Sequence, residues 1–510
     1  MEKNHFLSLQ NGSDIRGIAT EGIEGEPVNL TPKTIEIIAL AFVAWLSRHT
    51  GKPADRLTIS VGRDSRISGE QLTAAFIEGL VASGANAFNC GIASTPAMYM
   101  STIFEETQFD GAAMLTASHL PFNRNGIKFF TKEGGLDKPD ITRILETATV
   151  ITVPSVNRGK ITSFDLISRY SSFLVDKIRK EINHPEHYST PLSGFRIVVD
   201  AGNGAGGFYV DKVLQPLGAD TTGSQFLDPD GLFPNHVPNP EDETAMSFIQ
   251  KAVLKNKADL GIIFDTDVDR AAAVDQLGQS INRNELIALI GAIVLEEHPR
   301  TTIVTDSITS DGLATFIKKD LQGKHHRFKR GYKNVINEAI RLNENGQECW
   351  LAIETSGHAA LKENYFLDDG AYLVTKLLIK AAQMRLVENK SLTNLIDRLK
   401  APAESKEFRL KIRVPDFKSY GNHVIEELSR FVATVPGWKM VPDNYEGIRV
   451  ACDASSGLGW FLLRLSLHDP VIPLNIESDK TGGMAEIAGK LAGFFAKYPD
   501  EELDKTTLMI

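Results

Sequence analysis

Two short polar segments of the chain contain the residue types that phosphoryl transfer requires. Thr-Ala-Ser-His-Leu-Pro occupies 116–121, and Asp-Thr-Asp-Val-Asp-Arg occupies 265–270. Small residues precede Ser118, and Pro121 interrupts any regular element behind it. The sequence therefore predicts the Ser118 hydroxyl on a tight, exposed turn. Together the two segments indicate transfer through a serine and a divalent metal.

The acidic segment follows an apolar run, Gly-Ile-Ile-Phe at 261–264, whose composition predicts a buried strand. The carboxylates of Asp265, Asp267 and Asp269 alternate where this strand ends, so we expect them on one side of it. Their mutual repulsion is costly unless a cation lies among them. Hard oxygen ligands, with no histidine or cysteine nearby in the sequence, favour Mg²⁺.

Other functions of these segments have weaker support. Positions 116–120 lack the Gly-x-Ser-x-Gly signature of serine hydrolases. A helix–loop–helix calcium site beginning at Asp265 requires glycine and glutamate where the chain has Arg270 and Gln276. Two alternatives stay open. One is a phosphatase of the haloacid-dehalogenase type, although Asp269 stands where those enzymes carry threonine or valine, and the other is a solvated acidic turn without function.

Length and composition limit the class of protein. The chain has 510 residues and a net charge of −10, which indicates several globular domains and argues against a general nucleic-acid binder. Its three cysteines are far apart and show no metal-site spacing, which favours a reduced, cytoplasmic setting. The most apolar stretch, 37–46, is too short to span a bilayer, so we expect no membrane association.

A strand–loop–helix pattern occurs three times, beginning near 57, 195 and 301. The first predicted helix runs from Ser68 to about Ser83 and is capped by Gly84, and the second follows the glycine-rich loop 201–207 and stops near Gly218. Such crossovers build mainly parallel sheets, so the pattern predicts three related α/β domains. After 401–405 the pattern changes to an amphipathic strand, a helix around 426–432, two strands at 448–452 and 460–465, and a final helix from about Met484. This change predicts a fourth, α+β domain. The predicted domain limits are 1–163, 164–298, 299–402 and 403–510.

These segments belong to a larger set of motifs in which the chain resembles the α-D-phosphohexomutase superfamily, the phosphoglucomutases and phosphomannomutases, over essentially its whole length. The motifs occur in the family's order: 13–17, 62–69, 116–121 with 125–128, 265–270, 354–358 and 464–466. The resemblance implies a four-domain phosphohexomutase architecture with a central cleft. Three related α/β mixed-sheet domains would be followed by an α+β domain of the TATA-binding-protein-like type.

The resemblance also implies roles for individual residues. Ser118 matches the serine that carries the phosphoryl group and would ligate the metal together with Asp265, Asp267 and Asp269. The residues that match the reaction centre are His119, Lys128, Arg16 and Arg270. Those that match the sugar-binding loop are Glu354, Ser356 and His358, and those that match the distal phosphate loop are Arg464, Ser466 and His468.

The implied activity is interconversion of hexose 1-phosphate and hexose 6-phosphate, with glucose and mannose favoured. The implied cofactors are Mg²⁺ and a hexose 1,6-bisphosphate activator, the partners are small sugar phosphates, and the expected state is a monomer or weak dimer. Two other readings stay open: a catalytically weak homologue that binds a sugar phosphate, and a phosphoglucosamine mutase.

The chain departs from the family pattern at four places. Thr266 and Val268 stand in the metal loop where small residues are usual, so we expect strain at positions that need a positive φ. Leu120 follows the serine–histidine pair in place of asparagine, and Ile353 precedes Glu354 in place of glycine. In the distal phosphate loop, 464–470 keeps the arginine and serine but changes the residues after them. We still expect phosphate to bind at this loop, and substrate choice is the property that its changed residues affect.

Overall fold

The computed structural model describes residues 3–154, 156–388, 390–466 and 469–508. Contacts divide the chain into two compact units. The first comprises Met1–Leu286 with Ser356–Asn394, and the second comprises Ile287–Thr355 with Leu395–Ile510. The chain passes from the first unit into the second within the helix Arg283–Glu297.

The first sheet of the first unit is mixed, with parallel pairs at its centre and antiparallel pairs toward the N-terminal strands. In spatial order its strands are Gln10–Asn11, Asp14–Ile18, Arg124–Thr131, Gly111–Leu115, Thr58–Arg63, Asn86–Ile92 and Ile161–Ser163, with Gly134–Gly135 paired to Arg124–Thr131. The helices of this region are Lys3–Ser8, Pro32–Thr50, Gly69–Ala82, Thr95–Met100 and Lys138–Ala148. The loop that contains Ser118, residues 116–123, is the serine loop, and it joins the adjacent strands Gly111–Leu115 and Arg124–Thr131.

Local sequence signals fix the limits of these helices. Thr31 caps the helix Pro32–Thr50 by accepting a hydrogen bond from the Thr34 amide, and Gly51 ends it in the left-handed region. The apolar face of this helix includes Phe42 and packs into a core with Phe76 and Phe129. The predicted helix from Ser68 to about Ser83 is confirmed as Gly69–Ala82, followed by Gly84 at φ 91°.

The second sheet of the first unit carries the acidic segment. Its strands are, in spatial order, Ser280–Ile281, Ala271–Asp275, Leu260–Phe264 and Ile197–Asp200, and the last two are parallel. Phe264 pairs with Ala271 across an antiparallel hairpin, so residues 265–270 form the turn between two buried strands. The helices Leu166–Ile182, Glu243–Asn256 and Gly370–Glu388 and the hairpin Ala359–Leu361 with Leu367–Asp368 complete this unit.

The second unit contains a parallel set of strands and a separate antiparallel sheet. The parallel strands are Lys324–Arg327, Thr302–Thr305 and Cys349–Ile353, accompanied by the helices Asp311–Thr315 and Tyr332–Glu344. The antiparallel sheet has the order Trp438–Met440, Ile448–Cys452, Gly459–Leu463, Val471–Ser478, Glu404–Ile412 and Leu503–Asp504. The helices Phe417–Val432 and Gly483–Phe495 contribute to its core.

The predicted fold class, three α/β regions followed by a C-terminal sheet-rich domain, is confirmed by this architecture. The strands Val471–Ser478 and Trp438–Met440 were not predicted, and the helix predicted near 426–432 is longer, Phe417–Val432. The helix predicted after the glycine-rich loop is instead a π-helical turn, Tyr209–Leu214, that ends before Gly218. The four domain limits stay a prediction. Within the described ranges, no helix is long and apolar enough to cross a bilayer.

Close packing of two helices in the first unit makes Gly79 a test of the fold. A Cβ at Gly79 would lie 2.4 Å from the Glu36 carbonyl oxygen and 2.7 Å from the Ala39 Cβ. We expect Gly79→Ala to lower the free energy of unfolding by about 1–3 kcal/mol, because overpacking outweighs the gain in helix propensity of about 1 kcal/mol. Chemical denaturation followed by circular dichroism measures this change.

Gly489 is the matched control, because it lies in the helix Gly483–Phe495 and no atom would approach its Cβ within 4 Å. Gly489→Ala is expected to raise stability by roughly 0.5–1 kcal/mol. Equal effects at the two glycines would contradict the close approach at Gly79.

Candidate active site and metal centre

Ser118 lies on the loop between the strands Gly111–Leu115 and Arg124–Thr131, in a left-handed conformation with φ 51°. Its amide donates to the Thr116 hydroxyl at 2.9 Å, which holds the backbone in this sparsely populated region. The turn is confirmed, but its predicted exposure is wrong, because the side chain is buried. Ser118 Oγ donates to Asp265 Oδ2 at 3.1 Å.

Arg66 binds the serine loop through backbone carbonyl oxygens. Its buried guanidinium donates to the backbone oxygens of Ser118, Leu120, Pro121 and Arg124 at 2.5–2.9 Å. Asp64 lies 3.3 Å from Arg66 Nε, and burial raises the pKa of Asp64 to about 6. The motif 62–69 contained both residues, but a sequence motif gives no indication that one guanidinium would bind four carbonyls of another loop.

The three carboxylates of the acidic segment converge through a tight turn. Ligand oxygens of Asp265, Asp267 and Asp269 all lie within 4.8 Å of one another, and all three side chains are buried. Alternating carboxylates lie on one side only where the backbone is extended. The backbone here is not extended, because Val268 has φ 68°. Strain at Val268 is therefore confirmed, because β-branched residues are rare in this region. Thr266 has no positive φ, so the expectation for that position is wrong.

The turn is held by groups that the sequence analysis missed. The Gly370 amide donates to the Val268 carbonyl oxygen at 3.1 Å. A Cβ at Gly370 would lie 2.6 Å from the backbone of Arg270, so only glycine allows this approach. Thr95 donates to Asp267 Oδ2 at 2.5 Å. Neither Thr95 nor Gly370 belongs to a segment whose composition alone points to the acidic turn.

The donor set fits a hard divalent cation. Among the described residues, Asp267 Oδ1 and Asp269 Oδ1 are buried side-chain oxygens without a hydrogen-bond partner. Burial, Asp269 and Asp267 raise the pKa of Asp265, which reflects the cost of three like charges in one cavity. A cation bound by these oxygens would remove that cost, and all-oxygen ligation suits Mg²⁺.

Two cationic side chains contact the same carboxylates. Lys128 Nζ donates to Asp267 Oδ2 at 3.0 Å and also to Asp269 Oδ2. Arg270 Nε donates to Asp265 Oδ2 at 3.3 Å, and its Nη2 lies 3.3 Å from Ser118 Oγ. The structure thus brings the predicted serine, lysine, arginine and aspartates into one cluster of the first unit.

His119 is neutral in this cluster. Its Nδ1 accepts a hydrogen bond from Arg270 Nη2 at 2.7 Å, so this nitrogen carries no proton. Burial, followed by the charges of Arg270 and Arg16, lowers the pKa of His119 to about 2. Arg16 donates to the carbonyl oxygen of Ala117, the residue before Ser118, at 3.1 Å. It also donates to Asp14 at 3.0 Å.

His358 has the opposite electrostatic environment. Its Nδ1 contacts Asp368 Oδ2, and its backbone forms a bridge with that of Arg270. Burial alone would lower the pKa of His358, but the carboxylates of Asp368 and Asp269 outweigh it and raise the pKa. Asp368 was not singled out from the sequence. Ser356 lies in the same unit and is buried.

The other predicted residues belong to the second unit. Glu354 is buried and accepts a hydrogen bond from the Gly331 amide at 2.5 Å. Arg464 is buried directly after the strand Gly459–Leu463, and Ser466 Oγ accepts from the Asp469 amide at 3.3 Å. His468 and its neighbour Leu467 lie outside the described residues.

A further segment of the first unit, residues 236–241, contacts Arg270. Arg270 Nη1 donates to Asn239 Oδ1 at 3.1 Å and lies 3.8 Å from Glu241. This segment begins at His236, whose Nε2 lies 3.0 Å from Asp200 Oδ1 and whose Nδ1 lies 2.9 Å from the Val237 carbonyl oxygen. Both partners are acceptors, so the buried imidazole donates to both only when it carries two protons and a positive charge.

We expect Asp267→Asn and Asp269→Asn each to weaken Mg²⁺ binding at least about tenfold, because each change removes a negative charge from a mainly ionic site. Titration calorimetry measures the dissociation constant. Asp275→Asn is the matched control: this carboxylate ends the same hairpin but accepts from the amides of Leu277 and Gln279. Unchanged affinity in both test variants would mean that the cation binds elsewhere.

The His236 contacts predict a pH-dependent stability. Burial lowers the pKa of His236, but Asp200, the Val237 carbonyl and Asp242 outweigh it and raise the pKa above the ordinary value near 6.5. Protonated His236 therefore stabilises the fold fully below about pH 6.5, and this contribution is lost as the pH rises through the raised pKa. Chemical denaturation across about pH 5–9 detects it.

The comparison of variants isolates this contribution. His236→Gln should reduce the free energy of unfolding by about 1–3 kcal/mol at low pH, and its difference from the unmodified protein should shrink as the pH rises. His187→Gln, at an exposed histidine of the same unit, is the control and should show no such trend. A pH-independent difference for His236→Gln would contradict a charged imidazole.

Known proteins match the chain along its length. Family models described as phosphoglucomutase/phosphomannomutase, alpha/beta/alpha domains I, II and III, match residues 8–151, 173–278 and 282–401. A phosphomannomutase/phosphoglucomutase of Pseudomonas syringae pv. tomato is 28% identical over 96% of each chain. A phosphoglucomutase/phosphomannomutase of Thermococcus kodakarensis is 30% identical over 91% of this chain and 93% of its own.

A solved structure agrees with these sequence matches. The crystal structure of a phosphoglucomutase/phosphomannomutase family protein from Burkholderia thailandensis superposes with a TM-score of 0.78 at 26% identity and covers 99% of each chain. The three domain models follow one another in order along the sequence. The chain therefore belongs to the phosphoglucomutase/phosphomannomutase family of the α-D-phosphohexomutase superfamily and is a mutase-type phosphotransferase.

Proposed function

We propose that the chain is a magnesium-dependent phosphohexomutase that interconverts hexose 1-phosphate and hexose 6-phosphate of glucose, mannose or both. The observation that carries this proposal is the position of Ser118 Oγ, 3.1 Å from Asp265 Oδ2 and 3.3 Å from Arg270 Nη2. A serine hydroxyl between a metal-ligand carboxylate and a guanidinium suits a residue that holds a phosphoryl group.

In the proposed reaction the resting enzyme carries a phosphoryl group on Ser118. A hydroxyl of the sugar phosphate attacks it, so that the new O–P bond forms as the Ser118 Oγ–P bond breaks and a sugar 1,6-bisphosphate results. The intermediate then turns over and returns its other phosphoryl group to Ser118. Phosphoserine carries close to two negative charges at neutral pH. Mg²⁺ held by Asp265, Asp267 and Asp269 would supply positive charge that offsets them.

The chain's own cations complete this neutralisation. Arg270 and Arg16 are proposed to bind the oxygens of the transferring phosphoryl group, because a planar guanidinium fork matches phosphate geometry. The sugar hydroxyl releases one proton and the leaving Ser118 oxygen regains one, so no proton is consumed. His119 and Lys128 are the groups we propose to relay it. The bisphosphate, supplied as an activator, would restore phosphoserine after accidental loss.

Substrate recognition is proposed for two further groups of residues. Glu354, Ser356 and His358 offer a carboxylate, a hydroxyl and an imidazole, which suit vicinal sugar hydroxyls. Arg464, Ser466 and His468 are proposed to bind the phosphate that does not react. The expected partners are therefore small sugar phosphates, without nucleic acid or membrane, and we propose a cytoplasmic monomer or weak dimer.

The function is tested with a panel of glucose, mannose, glucosamine and N-acetylglucosamine phosphates, each assayed for isomerisation with Mg²⁺ and a hexose 1,6-bisphosphate. Turnover of glucose or mannose phosphates is the expected result. Preference for a glucosamine phosphate would reassign the substrate, and release of inorganic phosphate instead of an isomer would indicate a phosphatase.

We expect Ser118→Ala to abolish nearly all isomerisation, because the proposed mechanism has no other group that carries the phosphoryl between the two sugar positions. Intact mass spectrometry before and after incubation with the bisphosphate measures phosphorylation directly. Ser172→Ala, at an exposed helix serine that bonds the Ser168 carbonyl, is the control and should remain active and phosphorylated. Full activity of Ser118→Ala with unchanged mass would rule out the covalent mechanism.

A further inference from the structure

Three segments of the second unit converge on the carboxylate of Glu446. Glu446 Oε1 accepts a hydrogen bond from Ser307 Oγ and lies 3.3 Å from the Arg330 amide nitrogen. The same oxygen lies 4.0 Å from Arg464 Nε. Ser307 and Arg330 follow the carboxyl ends of adjacent parallel strands, the edge at which α/β sheets commonly bind ligands.

The arginine on this carboxylate is incompletely bonded. Arg464 is buried, and within the described part of the chain its Nε has no hydrogen-bond partner. Burial and the charge of nearby Arg330 lower the pKa of Arg464, while Glu446, Glu407 and Asp306 oppose this. Two neighbouring guanidiniums with an unused buried donor on Arg464 form an anion site. Among the described residues, carboxylates of the chain offset their charge.

Several contacts hold the backbone on both sides of Glu446 and so position its carboxylate at this site. Asn444 Nδ2 donates to the carbonyl oxygens of Glu446 and Gly447 at 2.7 and 3.0 Å. Gly447 has φ 56°, and a Cβ there would lie 2.1 Å from the Leu463 carbonyl oxygen. The Tyr445 ring packs against Phe328, with ring centroids 4.9 Å apart. These contacts fix the segment on both sides of Glu446.

We propose that Glu446 is an internal counter-ion of this anion site and competes with the non-reacting phosphate of the substrate for Arg464. The inference rests on the proposed function, because that function assigns Arg464 to a phosphate. Glu446 stabilises the charged arginines when no substrate is bound. When a phosphate arrives, it must share or replace the carboxylate, which lowers the net gain from binding.

This competition has a use in a mutase. The bisphosphate intermediate must release its distal phosphate in order to turn over and present the other end. Tight ground-state binding of that phosphate would slow the reorientation and lower kcat. The Glu446 carboxylate weakens binding of the distal phosphate but leaves in place the arginine that orients it. Glu446 is therefore a residue that balances affinity against turnover.

The test uses inorganic phosphate as the probe and titration calorimetry on the full chain as the readout. Glu446→Gln keeps the size and the acceptor for Ser307 but removes the charge. We expect it to bind phosphate about tenfold more tightly, since a unit charge 4.0 Å from a buried guanidinium is lost. With hexose phosphates, the same variant should show a lower KM together with a lower kcat.

Two further variants locate the effect. Glu427→Gln removes the same charge from a half-buried carboxylate that pairs with Arg430 and Lys497, and it should leave phosphate affinity unchanged. In an Arg464→Ala background the gain from Glu446→Gln should disappear, because competition requires the arginine. Should Glu446→Gln not fold, Glu446→Asp serves instead: its shorter side chain withdraws the carboxylate, and a smaller tightening is expected.

Weaker phosphate binding in Glu446→Gln would overturn the inference and identify Glu446 as a tether that shapes the site. Unchanged binding, or a gain that persists without Arg464, would overturn it as well. The proposed function fails separately. A chain that binds phosphate as expected but isomerises no sugar phosphate would refute the mutase and leave the counter-ion standing.

Discussion

The repulsion among three buried carboxylates is the constraint on which the structure of the first unit depends. Asp265, Asp267 and Asp269 lie within ligand distance of one another in the turn of a buried hairpin. Such a cluster is stable only when positive charge surrounds it. Lys128 and Arg270 supply part of that charge, and within the described ranges two of the carboxylate oxygens have no hydrogen-bond partner and are available to a cation. The serine then lies beside this site, through its bond to Asp265.

Both reactive loops depend on backbone conformations that the rest of the unit must enforce. Ser118 and Val268 have φ values of 51° and 68°, which are costly for residues other than glycine. Arg66 binds the serine loop through four carbonyl oxygens, and Gly370 binds the acidic turn through its amide. Each support comes from an element distant in sequence, so strain at the site is balanced by packing elsewhere.

Much of this arrangement can be predicted from the sequence, because its signals are local. The apolar run before Asp265 predicts the strand, the alternating carboxylates predict a metal site, and Gly84 predicts the end of a helix. Signals that depend on tertiary contact are absent from any short window. Nothing local indicates that Thr95 bonds Asp267 or that Asp368 bonds His358. The exposure predicted for Ser118 is wrong for the same reason: the turn is local, but the residues that cover it are not.

The division of the first unit into two stretches of sequence has a consequence for synthesis. The acidic turn at 265–270 is synthesised first. Gly370, which bonds Val268, and Asp368, which bonds His358, are translated about a hundred residues later. Residues 287–355, which belong to the other unit, emerge in between. A nascent chain therefore carries the acidic turn without these contacts through the whole of that interval. Folding of the first unit during synthesis cannot finish before residue 394 leaves the ribosome. Chains truncated before that point would expose the acidic turn rather than form a smaller enzyme.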